Sequence, residues 1–214
     1  MQRWLRGHLL CAVPGAGPRF ALTFDDGPSP RNTPPLLDVL ARHGARATWF
    51  VIAGRALRHR ALARRIDSEG HELGVHGTLH VPAWAMPRAW LARDVERASA
   101  AVSEVTGRAP RHYRAPFGFL FPRQAACVRE RGLTPVLGSV YPRDHAARRA
   151  ETIERRVLDR LEPGSIVILH DSSALGDLDR GLTVAATDAI LAVAMARGLR
   201  SVSIAELVSG IVAA

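Results

Sequence analysis

The 214-residue sequence has no lysine, and Asn32 is its only asparagine; all 29 basic residues are arginine. Arginine used in place of lysine reads as a GC-rich coding bias. The net charge of +9 would otherwise direct attention to nucleic acid or an anionic surface. The arginines, however, are spread along several candidate helices, as at Arg58 and Arg60, Arg64 and Arg65, Arg148 and Arg149, and Arg155 and Arg156. No aromatics are interleaved with them to stack bases, so no nucleic-acid partner is expected. Cysteine is equally scarce. Cys11 and Cys127 lie far apart with no CxxC, which excludes a disulfide scaffold and a thiolate zinc site. No glycine-rich GxGxxG or GxxxxGK turn follows the first strand, which removes the usual reason to expect a nucleotide-binding open sheet. No apolar run reaches spanning length, so no transmembrane segment is expected. Leu9 to Val13, behind Arg3 and Arg6, is thin for a signal-peptide core, and the chain as written reads as cytoplasmic. A missing upstream segment would make it a cell-envelope or secreted protein.

What is present is an ordinary globular composition, 47% hydrophobic and 23% charged, without low-complexity stretches. Length favours one domain, read here as residues 19–214 behind an N-terminal extension of residues 1–18. Strand patterns run from Arg19 to Phe24, Thr48 to Ile52, Glu72 to Val75, His112 to Arg114, Thr134 to Leu137, Ser165 to Leu169 and Arg200 to Val202. Helical patterns alternate with them: one after Asn32 and Thr33, then Ala56 to Glu69, Pro87 to Thr106, Pro122 to Arg131, Glu151 to Leu161 and Leu182 to Arg197, with a last short helix at the end. About seven strands alternating with helices imply a parallel α/β sheet. The length is below the ~250 residues of an eight-unit barrel, so a shortened or distorted (β/α) barrel is expected.

The polar residues fall at strand ends. Asp25 and Asp26 follow the first strand, where Gly27 and Pro28 break it; His76 and His80 follow the third; Arg114, Asp144 and His170 lie at or after later ones. In a parallel barrel these ends meet on one rim, where barrel enzymes carry their chemistry. Histidines at i and i+4 can turn ring nitrogens to one point on a helical turn, and a carboxylate from elsewhere completes a three-ligand metal site. Alone, an HxxxH is also what capping or core histidines produce, and an Asp-Asp pair at a turn is also an Asx-turn with a helix cap.

Together these motifs resemble the polysaccharide deacetylases of the NodB-homology type, carbohydrate esterase family 4. Thr23-Phe24-Asp25-Asp26-Gly27-Pro28 is similar to that family's first motif, and His76 with His80 to its H-x-x-x-H second motif. Tyr113-Arg114-Ala115-Pro116-Phe117-Gly118 resembles the third motif, and Ile168-Leu169-His170-Asp171 the fifth. The resemblance implies Asp26, His76 and His80 as ligands of a divalent metal, zinc or alternatively cobalt. It implies Asp25 as the general base, Arg114 as the residue orienting it, and His170 as the acid. Asp144, in Ser139-Val140-Tyr141-Pro142-Arg143-Asp144-His145, matches the fourth-motif aspartate that turns and charges His170. Here the chain departs from the family: Tyr141 stands where an aspartate is common and His145 where a tryptophan is, and Gly77 replaces a serine or threonine. Phe117, Tyr141, Leu169 and Trp84 are expected to touch substrate.

The implied activity is removal of N-acetyl groups from an N-acetylglucosamine-containing glycan, chitin-like or peptidoglycan. An O-acetyl esterase or non-sugar amide hydrolase using the same site, and a glycan-binding protein without turnover, remain open at this point, as does the oligomeric state.

Overall fold

The structure, a computed structural model, describes residues 8–209; Arg3 and Arg6, ahead of the apolar stretch Leu9 to Val13, lie outside them. Among the described residues seven parallel strands form one sheet: β1 (Arg19–Asp25), β2 (Ala47–Val51), β3 (Glu72–Val75), β4 (His112–Tyr113), β5 (Thr134–Pro135), β6 (Ile166–His170) and β7 (Arg200–Ser201). Their order is β5-β4-β3-β2-β1-β6, and β7 pairs with the start of β1 through Arg19 and Phe20. The sheet curls into the shortened barrel expected from the strand count. Between β5 and β6 it is bridged by single contacts, Leu10 with Val136, Ala12 with Ser165 and Val140 with Val167. The segment ahead of β1 therefore completes the wall. Gly164 is required there: it has φ +82°, and a Cβ would run into the Val13 carbonyl.

The helices are α1 (Thr33–Arg42), α2 (Ala53–Arg58), α3 (Arg60–Ser68), α4 (Arg88–Thr106), α5 (Pro122–Arg129), α6 (Ala150–Leu158), α7 (Gly181–Ala196) and α8 (Ile204–Ser209). The single helix expected from Ala56 to Glu69 is two, because His59 takes φ −115°, ψ 49°. The break turns α3 along the sheet by its buried Ala63 and Ile66, while α2 stays at the rim and lends it Arg55. α4 ends at Thr106, as expected, and Gly107 caps it in the left-handed conformation.

Period-two alternation assigns the two faces of the sheet. Phe20, Leu22 and Phe24 of β1, with Trp49, Val51, Val167 and Leu169, join the large core beneath the helices. Ala21, Phe50, Val136 and Ile166 form a smaller cluster inside the curl. Each fully buried Leu, Ile or Phe of the outer core contributes about 1.5–3 kcal/mol. With stability supplied on that side, the inner face can afford polar residues: Thr23 and Asp25 share it with Ala21. Gly74 leaves room there, since a Cβ would sit 2.8 Å from the Phe50 ring.

Candidate active site

Sheet register assembles the site. Asp25, the last residue of β1, is the cross-strand partner of His170 at the end of β6, and of Phe50 on the other side. Val75 pairs with Tyr113, so the next residues, His76 and Arg114, are neighbours at the rim. Arg114 is 1% exposed; its Nη1 donates to Asp25 Oδ1 and to Thr23 Oγ1, both at 2.6 Å, and its guanidinium lies 4.1 Å over the Phe50 ring. Burial pulls the Arg114 pKa down, and the Asp25 carboxylate opposes that.

Asp26, His76 and His80 offer one ligating atom each, all within 4.8 Å of one another. Asp26 Oδ1 stands 3.1 Å from His80 Nε2 and 3.4 Å from His76 Nε2. His76 Nδ1 faces the Arg114 carbonyl at 2.8 Å and must carry its hydrogen there, so in the neutral ring Nε2 is the lone-pair nitrogen. Among the described residues Asp26 Oδ1 and His80 Nδ1 are buried without a hydrogen-bond partner. Burial opposes charge on Asp26, yet the adjacent His76 and His80 rings, with a contribution from His170, hold its carboxyl far below the usual range. Three acceptors converging on one point with an orphaned carboxylate oxygen are a donor set that fits a divalent cation.

The HxxxH is not a helical turn. Gly77 at φ +83° opens a bend, and Asp94 of α4 holds it by accepting the Thr78 N–H at 3.0 Å and the Thr78 hydroxyl. The left-handed backbone accounts for glycine where the family has serine or threonine.

Asp144 is 4% exposed and engages His170 twice: Oδ1 meets Nδ1 at 2.8 Å and Oδ2 accepts the His170 backbone N–H at 2.9 Å. Burial works against a charged His170, but Asp144 beside it, with smaller help from Asp25 and Asp26, pushes its pKa up to about 9. The Tyr141 ring, 44% exposed, stacks on His145 and stands 6.3 Å from His170.

The structure corrects one expected substrate contact. Leu169 is fully buried in the outer core, because it points away from the face that carries His170; Ile168, two residues before His170, shares that face. Counting back by two from His170 would have found it. Asp171 is buried below Gly27, accepting from Thr33 Oγ1 at 2.5 Å and Trp49 Nε1 at 3.0 Å. Burial raises its pKa to about 7. A Cβ on Gly27 would collide with that carboxylate. Arg55 had no signal in the sequence: its Nη1 donates to the Asp26 carbonyl at 2.8 Å and its Nη2 to the Ser173 carbonyl at 2.6 Å, tying the first motif to the loop after β6. Trp84 is 51% exposed in a short 3₁₀ turn beyond His80, and Phe117 packs edge-on against His80, ring centroids 4.6 Å apart.

Among the described residues the three non-glycine positions with positive φ, Asp26 (+76°), Phe117 (+63°) and Arg143 (+57°), all lie at this rim. For a bulky aromatic this backbone is strained, and such strain gathers at functional sites. Phe117→Gly is expected to raise stability by up to about 1 kcal/mol, the released strain less glycine's added entropy cost. Turnover should fall, because His80 loses the ring packed on it. Melting temperature and kcat/KM measured together check this, and a loss of both would show that the backbone is not strained.

The sequence pattern that defines the polysaccharide deacetylases matches residues 12–136. The chain belongs to that family. A chitooligosaccharide deacetylase of Bradyrhizobium sp. (strain ANU 289) is 40% identical over 157 residues, 73% of this chain and 72% of its own. A peptidoglycan-N-acetylglucosamine deacetylase of Bacillus cereus (strain ATCC 14579) is 35% identical over 203 residues, 94% of this chain and 93% of its own. Among solved structures, a peptidoglycan N-acetylglucosamine deacetylase in complex with 4-naphthalen-1-yl-N-oxidanyl-benzamide aligns with a TM-score of 0.89 at 28% identity, covering 96% of this chain and 95% of that one. A family 4 carbohydrate esterase from Streptomyces lividans, in complex with acetate, aligns with a TM-score of 0.79 at 28% identity, covering 86% and 92%. Family membership and the Asp26, His76 and His80 group point to a divalent metal, and the curled parallel sheet with its helices is that of these deacetylase structures. No helix among the described residues is long and apolar enough to cross a membrane.

Proposed function

We propose that this chain hydrolyses the N-acetyl group of N-acetylglucosamine units in a chitin-like oligosaccharide or in peptidoglycan. The observation that carries the reading is the side-by-side pairing of Asp25 and His170 next to the Asp26, His76 and His80 group, which sets a base and an acid beside a cation site. The relatives named for chitooligosaccharides and for peptidoglycan N-acetylglucosamine support the substrate class.

The residues divide the work. Asp26, His76 and His80 hold the cation, zinc or alternatively cobalt, which when bound polarises the acyl carbonyl and lowers the pKa of water from 15.7 toward roughly 7. Asp25 takes a proton from the attacking water, and Arg114 fixes its carboxylate toward that water. A backbone N–H near Phe117 donates to the developing oxyanion. His170, held by Asp144, delivers a proton to the nitrogen, so that the C–N bond breaks to a neutral amine and not an amide anion. Tyr141, Trp84 and Ile168 border the sugar. The catalytic unit is the stretch from Arg19 onward, with the segment before it sealing the curl.

The test is acetate release from N-acetylated chitooligosaccharides, peptidoglycan fragments, acetylated xylan and simple amides, with and without chelator. Release from the N-acetylated glycans that chelation abolishes and zinc restores is expected. Release that survives chelation would refute the metal assignment, preference for xylan would redirect the reading to O-acetyl esters, and tight glycan binding without release would make the chain a binder.

The acid carries a pH signature. His170 is raised, so its acid form is present below about 9 and lost above it, and kcat is expected to fall as pH rises through that region. Asp144→Asn removes the charge that raises it, so the falling limb should move to lower pH. A limb that stays in place would assign the acid to another group.

A further inference from the structure

The acid side of the rim carries a second set of ligating atoms. One each from Asp144, His145 and His170 lies within 4.8 Å of the others. Asp144 cannot be a direct ligand without losing what holds it. Its Oδ1 is taken by His170 Nδ1, and its Oδ2 by the His170 backbone N–H and, at 3.0 Å, the Thr183 hydroxyl. His170 Nε2 is therefore the nitrogen that faces outward. A carboxylate accepting the far N–H of an imidazole is the arrangement that stands behind metal-bound histidines, because it fixes the tautomer and strengthens the ligand. His145 is exposed, its ring edge-on to His170 with centroids 5.6 Å apart. Its Nδ1 is met by the Tyr141 hydroxyl at 3.2 Å, which again leaves Nε2 as the unengaged nitrogen. Two imidazole nitrogens on one tetrahedral zinc stand about 3.3 Å apart. An exposed histidine has the rotamer freedom to close to that distance.

We propose that His170 and His145, backed by Asp144 and Tyr141, form a second divalent-cation site that captures excess zinc and shuts the enzyme off. Zinc on His170 Nε2 occupies the nitrogen that must carry the proton to the departing amine. Two protein ligands bind more weakly than three, so this site fills only after the Asp26, His76 and His80 site. The binding is argued from the closeness of Asp144, His145 and His170 and from the two unengaged imidazole nitrogens; its inhibitory effect rests on the reading of His170 as the acid. His145 makes the site particular to this chain, since the family's fourth motif often has a tryptophan there.

Zinc is titrated into metal-free protein by calorimetry, with bound metal counted after dialysis and acetate release followed in parallel. Wild type is expected to take a tight and then a weaker equivalent, activity rising with the first and falling by at least about 10²-fold with the second, the contribution of a general acid. His145→Ala and His145→Phe should lose the weaker equivalent and be equally active at one equivalent and at excess, whatever their basal rate. His76→Ala should lose the tight equivalent and keep the weaker. Wild type that binds a single equivalent, or His145 variants that keep the second, would overturn the proposal. A tight equivalent that survives His76→Ala would instead overturn the assignment of the first site and leave this one standing.

Discussion

Asp25→Asn is expected to lower kcat by about 10²–10⁴-fold, the usual contribution of a general base, while zinc stoichiometry stays unchanged. Asparagine has the shape of aspartate, and its Oδ1 can still accept from Arg114, but it takes no proton from water. The Asp26, His76 and His80 group is untouched, because Asp25 is not one of its members and is held instead by Arg114. Some stability is lost as well, since Arg114 is 1% exposed and Asp25 is its only anionic partner among the described residues. The rate should therefore be measured on zinc-loaded protein well below its melting transition. A variant that keeps its rate would move the role of base to another residue.

Arg114→Met should cost about 3–5 kcal/mol of folding stability, because it leaves the carboxylate of Asp25, itself 4% exposed, buried and unpaired. The loss also includes the donation to Thr23 and the stacking over Phe50. Urea unfolding measures it. Lysine at this position can supply the charge but neither the planar fork nor the stacking, so Arg114→Lys should fold better than the Met variant and still turn over slowly. The double variant Asp25→Asn with Arg114→Met should lose less stability than the sum of the single variants, since removing both partners leaves no orphaned charge. Additive losses would show that the pair is not the unit that matters.

The pairing of Asp25 with His170, the Asp26, His76 and His80 group and the strand order were legible to different depths. A strand of apolar residues that runs into Asp-Asp-Gly-Pro announces where it stops, because glycine and proline break it, and that alone puts two carboxylates at a strand end. The alternation of strands and helices announced a parallel sheet and a common rim. The face on which a strand residue points follows from period two once a reference is chosen; taking His170 as that reference separates Ile168 from Leu169, and without it the two look alike.

Other features leave no trace along the chain. Arg114 reaches Thr23 and Asp25 across 91 and 89 residues, His76 finds the Arg114 carbonyl across 38, and Asp171 meets Trp49 across 122. Each depends on sheet register and on exclusion of water, neither of which has a local signature. The same holds for Arg55, whose helix is displaced to the rim by the break at His59, and for Leu10 and Ala12, whose backbone completes the wall.

Residue type and breaker residues act locally, so the inventory of chemical groups and their placement at strand ends can be read along the chain. Which of them touch is a matter of register and burial: register set Asp25 beside His170, and burial left Asp26 Oδ1 without a hydrogen-bond partner, so that a cation is the partner its surroundings suit.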